Sequence, residues 1–285
     1  MRDLRVCSFD RIVFESALVR MGCFRCRVGD PSFHDTGPSR NFCFVFPRTA
    51  VEIQHEHEAA FVANPNVITF YNQGQAYCRN PISTDGDRCD WFGVHTDVVR
   101  DVIAAFDPLS ADANEMPFRF SRAPSNARIY LSQRRIFQRA ISGNAGEPLI
   151  VEEYIISLLE RVVRSAYRGR SHELRKVGSK QREVIRHTEH LLCNRLEERL
   201  TLPDIAGAVG MSPYHLCRMF HQVTRTTLHE YRQKLRLRWS LESVTESDRS
   251  LVDIALDSGF SSHSHFTSAF REEFAVTPSS IRAKV

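Results

Sequence analysis

The sequence predicts an α+β protein: a strand-rich front half, two helices, and then an all-helical tail. Three observations support this order. Short β-rich runs alternate with turn-forming residues over about the first hundred positions. Two later segments carry apolar residues at helical spacing, and the last third contains an internal repeat. A chain of 285 residues is also long enough for two domains.

The front half, about residues 5–108, is predicted to form short strands separated by turns. Its β-rich runs begin at Phe42, Val51 and Val67, and a further run begins at Arg88. Many short strands with frequent turns predict a barrel or a sandwich. The turn formers between the runs are Gly29-Asp-Pro, Gly37-Pro, Asn64-Pro-Asn, Asn72-Gln-Gly and Asp85-Gly-Asp.

Two helices are predicted after the strands, over 126–142 and 148–167, with a turn that begins at Gly143 between them. One face of each helix is apolar, which indicates a buried surface. Two interpretations of these faces stay open: both pack on strands of the same chain, or they also form a dimer interface. The apolar residues are Ile129, Ile136, Phe137, Ala140 and Ile141 in the first helix and Leu149, Ile156, Leu159, Val163 and Tyr167 in the second.

Residues 169–180 lose the apolar period and contain two glycines, so they are predicted to form a solvated linker. This places one domain over 1–168 and a second over 181–285. No apolar run approaches the ~18 residues that span a bilayer, and the start of the chain leads into no apolar secretory segment. We therefore expect a cytoplasmic protein without a membrane partner.

The tail contains a repeat of one segment. Leu202-Pro-Asp-Ile-Ala-Gly-Ala-Val-Gly-Met-Ser corresponds to Leu251-Val-Asp-Ile-Ala-Leu-Asp-Ser-Gly-Phe-Ser, 49 positions further along the chain. Asp, Ile, Ala, Gly and Ser recur at equivalent positions. Downstream the offset becomes 50, and the matched apolar pairs are Leu216 with Phe266 and Phe220 with Phe270.

Each repeated residue has a mechanical role in a helix–turn–helix arrangement. The isoleucine buries one helix against the next, and the alanine is small where two helices cross. Gly210 and Gly259 can take the left-handed conformation that ends a helix in a tight turn. Ser212, and Ser261 or Ser262, can cap the helix that follows. Such pairs also occur in bundles that do not bind DNA, but two matched units favour the DNA-binding arrangement, whose second helix enters the major groove.

A single long helix is predicted between the two units, from Leu228 to Val244. A rigid connector fixes the spacing of the two recognition helices, and a spacing of one DNA turn, ~34 Å, would let both enter successive major grooves. The side chains expected to face the units are Leu228, Tyr231, Leu235 and Trp239, and those expected on more exposed sides are Arg232, Lys234, Arg236 and Arg238.

The tail resembles the DNA-binding domain of the AraC/XylS family of transcription regulators over roughly residues 181–285. The family's second-unit signature is similar to Asp253-Ile-Ala-Leu-Asp-Ser-Gly-Phe-Ser-Ser-His-Ser-His-Phe-Thr-Ser-Ala-Phe-Arg-Glu-Glu-Phe-Ala-Val-Thr-Pro-Ser-Ser-Ile-Arg. The first-unit counterpart runs from Leu202 to Phe220. Two positions depart from the pattern, because Arg225 and Ala275 stand where the family usually has glycine. A left-handed backbone there would cost up to ~1 kcal/mol.

The resemblance implies a sequence-specific transcription regulator, an activator that responds to an effector. Its partners would be double-stranded DNA at a promoter or operator, and RNA polymerase. Arg218 and Arg271 have the reach to contact guanine edges or phosphates. Arg232 and Arg236 are weaker phosphate candidates, and His265 is interpreted as a packing residue. The residues that the resemblance places at DNA are Pro213, Tyr214, His215 and Arg218 in the first recognition helix and Ser262, His263, Ser264, Thr267, Ser268 and Arg271 in the second.

The resemblance further implies a cupin-like effector-binding and dimerisation domain in front, and hence a homodimer with a small-molecule effector. Several aromatic residues of the front half could line a pocket for that effector, although each alone is more commonly a core residue. These residues are Phe42, Phe44, Phe70, Tyr71, Tyr77 and Trp91.

Metal or redox sensing by the front half is the alternative. Cys23 and Cys26 have a metal-ligand spacing, and His55 and His57 would share one face of a strand. A finger-type zinc site needs a second spaced pair, and none is present. On a strand, the two cysteines would also point to opposite faces. The further thiols that could join such a site are Cys43, Cys78 and Cys89, and no metal or other cofactor is assigned.

A catalytic front half is the remaining alternative, because cupin-like barrels with histidines can hold iron or zinc. The sequence contains no nucleophile–base set, phosphate loop or dinucleotide-binding glycine pattern. The attached helix–turn–helix tail also argues against an enzyme. A regulator that responds to no effector is the third possibility. We therefore expect a DNA-binding regulator without catalytic residues.

Overall fold

Residues 9–34, 38–108, 116–143, 147–173 and 178–283 are described by the computed structural model of the chain. The chain divides into two units, Met1–Ser171 and His172–Val285, and each is described by itself. Among the described residues, no helix has both the length and the apolar character needed to cross a membrane.

The front unit contains two antiparallel sheets, one of six strands in the order β1-β2-β8-β3-β6-β9 and one of three in the order β5-β4-β7. Strands predicted from Phe42, Val51, Val67 and Arg88 onward are present. The strand bounds are Phe9–Glu15 (β1), Val19–Cys26 (β2), Phe42–Pro47 (β3), Val51–His55 (β4), Phe61–Ala63 (β5), Val67–Tyr71 (β6), Tyr77–Pro81 (β7), Asp87–Val94 (β8) and Arg122–Pro124 (β9).

The described strands do not close into a barrel, which was one of the two arrangements that the strand pattern predicted and the one that the cupin-like resemblance implied. Strand β6 uses its two edges to pair with β3 and β9, so the short strands β4, β5 and β7 pair among themselves. Cys26 of the larger sheet packs in one apolar cluster with Ile53 and Phe61 of the smaller. The smaller sheet therefore covers part of one face of the larger, and the unit is a mixed α+β fold with two sheets.

The opposite face of the larger sheet packs against helices. Asp90 of β8 is fully buried and accepts a 2.6 Å hydrogen bond from Nη1 of Arg134, which lies on helix α2 (Ala127–Ile141). On the same face Phe44 stacks on Phe92 with ring centroids 5.1 Å apart, and Phe70 contacts Phe118. These phenylalanines are therefore core residues of the helix-covered face, and so is Phe42, which also contacts Phe118.

The two predicted helices are present as α2 and α3 (Pro148–Glu173), and a further helix, α1 (Thr96–Ala104), lies where only strands were expected. Helix α3 continues into the predicted linker as far as Glu173, and the next helix begins at Ser179, so both ends of 169–180 are helical. The predicted apolar faces are only partly buried. The exposed apolar residues of α2 and α3 are Ile141, Leu149, Ile150 and Tyr154.

The C-terminal unit, His172–Val285, is all-helical and contains both predicted helix–turn–helix units. Below, the first unit and the second unit mean these two helix–turn–helix units. Each helix of the C-terminal unit has Ser, Thr or Gly at its N-cap, and α5, α6 and α10 also have a proline at the first or second helical position. The helices are α4 (Ser179–Asn194), α5 (Leu202–Ala208), α6 (Pro213–Thr224), α7 (Leu228–Glu246), α8 (Leu251–Asp257), α9 (His263–Phe274) and α10 (Pro278–Arg282).

The turns inside the two units have the predicted backbone. Gly210 and Gly259 have φ values of +66° and +78°, in the left-handed region that favours glycine. Ser212 caps α6 and Ser262, rather than Ser261, caps α9, because each hydroxyl accepts a hydrogen bond from a backbone N–H three residues later. The recognition helices α6 and α9 are therefore fixed at their first turns.

Arg225 and Ala275 end α6 and α9 in the left-handed conformation, with φ values of +60° and +59°. The backbone expected of a glycine is thus kept at both positions with a side chain present. Because Cβ crowds the neighbouring carbonyl in this region, both residues store unfavourable energy.

Ala275→Gly should raise the free energy of unfolding of the C-terminal unit by up to about 1 kcal/mol, because glycine removes this crowding. Chemical unfolding followed by circular dichroism measures the change. Ala208→Gly is the matched control: Ala208 is an exposed residue of right-handed helix, where glycine should destabilise by about 0.5–1 kcal/mol. Equal effects at the two positions would contradict the strain at Ala275.

Candidate nucleic-acid interface

Helix α6 presents one polar face and one buried face. Leu216 and Phe220 lie in the apolar cluster of the first unit. The outer face carries the four predicted residues, all exposed, with Tyr214 at 67% exposure. The Oγ of Ser212 lies 2.8 Å from Nδ1 of His215 and fixes that ring at the start of the helix. The residues of this face predicted to contact DNA are Pro213, Tyr214, His215 and Arg218.

Helix α9 repeats the arrangement with an aromatic core. Phe266 and Phe270 are fully buried and contact each other. His263 and Thr267 are half-buried, and Thr267 Oγ1 lies 3.4 Å from His263 Nε2. The remaining predicted residues are exposed, namely Ser262, Ser264, Ser268 and Arg271. The predicted DNA contacts thus fall on the outer faces of two recognition helices or at their caps.

His265 is also on this surface, and its interpretation as a packing residue is wrong. The side chain is exposed, its Nδ1 lies 3.1 Å from Ser261 Oγ, and its ring contacts Phe260 edge to face. The first unit holds His215 against Ser212 in the same way. The offset of 50 between the two histidines, which also relates Leu216 to Phe266, was the sequence signal for this match.

Arg238 of α7, expected on a more exposed side of the helix, is buried, whereas Arg232, Lys234 and Arg236 are half-buried. Arg238 is only 2% exposed and donates from Nη2 to Glu273 of α9 at 2.9 Å. Arg232 donates to the carbonyl oxygen of Glu198, and Arg236 donates to those of Leu196 and Glu198. Donors of all three guanidinium groups are thus engaged within the protein, and the suggestion that Arg232 and Arg236 contact phosphate stays a prediction. The helix period alone could not show this, because exposure depends on the neighbouring loops.

Comparison with known proteins supports the fold of the C-terminal unit. A family model described as a helix-turn-helix domain matches residues 205–284. The chain is 41% identical to the probable transcription factor PqrA of Proteus vulgaris, over 30% of this chain and 70% of that protein. It is 32% identical to the regulatory protein SoxS of Salmonella typhimurium, over 36% of this chain and 96% of that protein.

The chain belongs to the AraC family. A crystal structure of a transcriptional regulator from Chromobacterium violaceum, with an AraC-type DNA-binding domain, is 34% identical and covers 38% of this chain and 96% of that chain, with a TM-score of 0.35. The relatives named here are transcription factors or regulatory proteins. This AraC-family chain is a sequence-specific DNA-binding transcription regulator.

The inner face of the front unit of this AraC-family protein contains a buried histidine with one unsatisfied atom. His55 is 1% exposed, and its ring contacts Phe61, Tyr71 and Tyr77. Gln75 accepts from the Asn72 N–H through Oε1, so its amide nitrogen faces His55 Nδ1 at 3.3 Å. An amide nitrogen only donates, so His55 Nδ1 accepts and Nε2 carries the proton. Nε2–H is buried without an acceptor among the described residues.

The thiols and histidines considered for metal or redox sensing are not brought together. No group of three or more potential metal-ligating side chains forms among the described residues. Cys23 and Cys26 pair opposite Asp90 and Asp87, three residues apart on one strand, and so face opposite sides. His57 lies in a turn beyond the end of β4, with φ of +62°. The prediction that it shares a strand face with His55 is therefore wrong.

Burial also suppresses the thiolate form that metal binding and oxidation need. Burial raises the pKa of Cys43 to about 12 and that of Cys89 well above its ordinary value. For Cys23 the pKa is raised, first by burial and then by the nearby Asp90. These environments favour neutral thiols at physiological pH.

Acid should destabilise the front unit through His55. Burial lowers the pKa of His55, against a smaller opposing effect of Glu58, so the unfolded chain takes up a proton before the folded one does. Stability linked to His55 is therefore full above about pH 6.5 and is lost as the pH falls from there towards the folded pKa. His55→Gln should flatten this part of the stability–pH curve, measured by thermal unfolding. His57→Gln, which alters a highly exposed ring, should follow the unmodified chain; parallel curves for all three proteins would contradict the assignment.

Arg271→Ala should weaken binding to a specific DNA fragment by ~1–3 kcal/mol and leave the fold intact, because its side chain is exposed on α9. Fluorescence anisotropy measures the affinity, and circular dichroism checks folding. The neighbouring exposed residue supplies the control, since Glu272→Gln removes no positive charge and should cause no loss. Unchanged affinity in a folded Arg271→Ala protein would remove Arg271 from the interface.

Proposed function

We propose that both recognition helices read DNA, each contacting one box of a two-box operator. The observation that carries this proposal is the repeated geometry: α6 and α9 each follow a left-handed glycine turn, begin at a serine cap and present a polar outer face. The proposed contacts are the ten residues Pro213, Tyr214, His215, Arg218, Ser262, His263, Ser264, Thr267, Ser268 and Arg271, together with His265.

The side chains differ in what they can contact. Arg218 and Arg271 can donate two hydrogen bonds to a guanine edge, or bind phosphate. His215 and His265 are each held through Nδ1 by a serine hydroxyl, which leaves Nε2 for a base edge or a phosphate oxygen. A donor held in one orientation loses less entropy on binding than a free one.

We infer that the front unit, over 1–168, binds a small-molecule effector and forms a homodimer, with 169–180 connecting it to a DNA-binding domain over 181–285. His55 supports the effector: its buried Nε2–H would donate a hydrogen bond to a ligand's carbonyl, hydroxyl or ether oxygen, beside the aromatic rings that contact the imidazole. The exposed Ile141, Leu149, Ile150 and Tyr154 support the dimer, because burying exposed large apolar side chains favours association.

The remaining parts of the proposal follow the family. The protein would act in the cytoplasm as an activator that contacts RNA polymerase at a promoter, and it would not be an enzyme. A cupin-like ancestry of the front unit would be compatible with its two antiparallel sheets.

Genome fragments selected by the purified full-length protein test the proposed function. We expect a motif of two boxes about one helical turn apart. The doubly substituted Arg218→Ala/Arg271→Ala protein is the control and should select no motif. Added zinc, chelator or oxidant should leave the motif unchanged, because the thiols are not grouped. Weak, salt-sensitive and sequence-blind binding would contradict the proposal.

A further inference from the structure

The guanidinium of Arg236 contacts the turn of the second helix–turn–helix unit and the loop over 195–201, which leads into α5 and which we include, together with α4, in the first unit. Its Nε donates to the carbonyl oxygen of Leu196 at 2.8 Å, and Nη2 donates to that of Glu198 at 3.0 Å; both lie in the loop between α4 and α5. Its Nη1 donates to the carbonyl oxygen of Gly259, in the turn of the second unit, at 2.8 Å. One planar group on the connector helix α7 thus joins a loop of the first unit to the turn of the second.

This contact has the character of a structural clamp rather than of an ion pair. Arg236 is half-buried, and no carboxylate of the described residues forms an ion pair with it. Burial lowers its pKa to about 10, and Arg232 beside it acts in the same direction. The charge is retained at neutral pH at some cost, which three hydrogen bonds to carbonyl oxygens offset. Lysine could not replace this fixed fork of donors.

Comparison of the two repeats shows that the guanidinium packs closely against the turn glycine of the second unit only. A Cβ atom added to Gly259 would lie 2.5 Å from Nη2 of Arg236 and 2.6 Å from its Cζ. Gly210, the equivalent glycine of the first unit, has the same left-handed backbone but no such neighbour within 4 Å. Gly259 therefore provides both the turn and the space that the guanidinium occupies.

Other contacts hold each unit to α7 separately. The Tyr231 hydroxyl donates to Glu189 of α4 at 3.2 Å, and Arg238 pairs with Glu273 of α9. Arg236 differs because its three bonds end in both units. We propose that Arg236 is a positioning residue that fixes the two recognition helices relative to each other and thereby sets the spacing of DNA boxes that the protein accepts. The spacing part of this inference rests on the proposed two-box binding.

The clamp can be tested without DNA by measuring the distance between the recognition helices. Cys217 is an exposed native thiol on α6, and Ser268→Cys places a second on the exposed face of α9. Spin labels on these thiols, with the other accessible cysteines replaced, report the distance distribution in the full chain. We expect a narrow distribution for the unmodified Arg236 and a broader one for Arg236→Ala. Lys234→Ala, which removes a charge from the same helix, should leave the distribution narrow.

Box spacing is then tested on DNA fragments that differ only in the number of base pairs between the boxes. Arg236→Ala should bind the optimal spacing at least about tenfold more weakly and lose its preference among spacings, while affinity for a single box stays the same. The dependence of affinity on salt should not change. A lost phosphate contact would instead lower the salt slope by about 0.9. That lower slope, with the spacing preference kept, would overturn the positioning role.

Gly259→Ala and Gly210→Ala provide an independent check. Both add a methyl group at a left-handed residue, but only Gly259→Ala also displaces the guanidinium. We expect Gly259→Ala to broaden the distance distribution more than Gly210→Ala does, and this excess to disappear when Arg236→Ala is combined with it. Equal effects of the two glycine substitutions would overturn the clamp.

Thermal unfolding shows which variants fold, and Arg236→Lys replaces Arg236→Ala if the alanine protein does not. An unchanged distance distribution in the folded Arg236→Ala protein, or in Arg236→Lys where it replaces the alanine protein, overturns the inference. A distribution that broadens as expected, in a protein that selects no two-box motif, supports the clamp and contradicts the proposed DNA reading. The two failures are therefore distinguishable.

Discussion

Helices α5 and α8, the first helices of the two units, are only seven residues long. Helices of this length are not stable alone in water, because the cost of starting a helix is spread over too few hydrogen bonds. They persist here because Ile205 and Ile254 are buried against their neighbours and because side chains cap their ends. The 19-residue helix α7 supplies a surface for this burial, so the fold of the rest of the C-terminal unit depends on it.

The two halves of α7 serve different units. Tyr231 and Leu235 lie in the apolar cluster of the first unit, with Leu216 and Phe220. Further along α7, Arg238 pairs with Glu273, and the carbonyl oxygen of Val244 accepts a 3.0 Å hydrogen bond from Arg282 of α10. A helix that packs on one unit through its first half and on the other through its second half makes the positions of the two recognition helices interdependent.

The sequence predicted well what short-range rules govern. The glycine turns, the serine caps and the buried repeat positions each depend on neighbours within a few residues, and the repeat showed them twice. The left-handed backbone at Arg225 and Ala275 did not follow from the repeat: the family resemblance marked these positions as usual glycine sites and left their conformation open. Contacts between distant segments were not predictable in this way. Strand β9 pairs with β6 from about 55 positions away, and nothing in either segment shows that pairing, so the strand pattern could not decide between a barrel and two separate sheets.

The predicted exposure and placement of several side chains were wrong for the same reason. An arginine on a predicted helix looks solvated until the loop that covers it is known, and Arg236 and Arg238 are covered by segments far away in the chain. His57 follows a strand residue, but a left-handed turn removes it from the strand. His265 was interpreted as a packing residue, although its match to His215 was visible in the repeat.

The repeat also separates what a helix–turn–helix unit needs from what its neighbours impose. Both units keep the left-handed glycine and the serine-held histidine, which lie at the start of the recognition helix. They differ in the core, where Leu216 is replaced by Phe266, and in the space beside the glycine, which Arg236 fills only in the second unit. Features shared by the two units thus follow the needs of the turn and the exposed helix start, and the differences follow the contact with α7. The second unit is accordingly the one whose turn is tied directly to the connector.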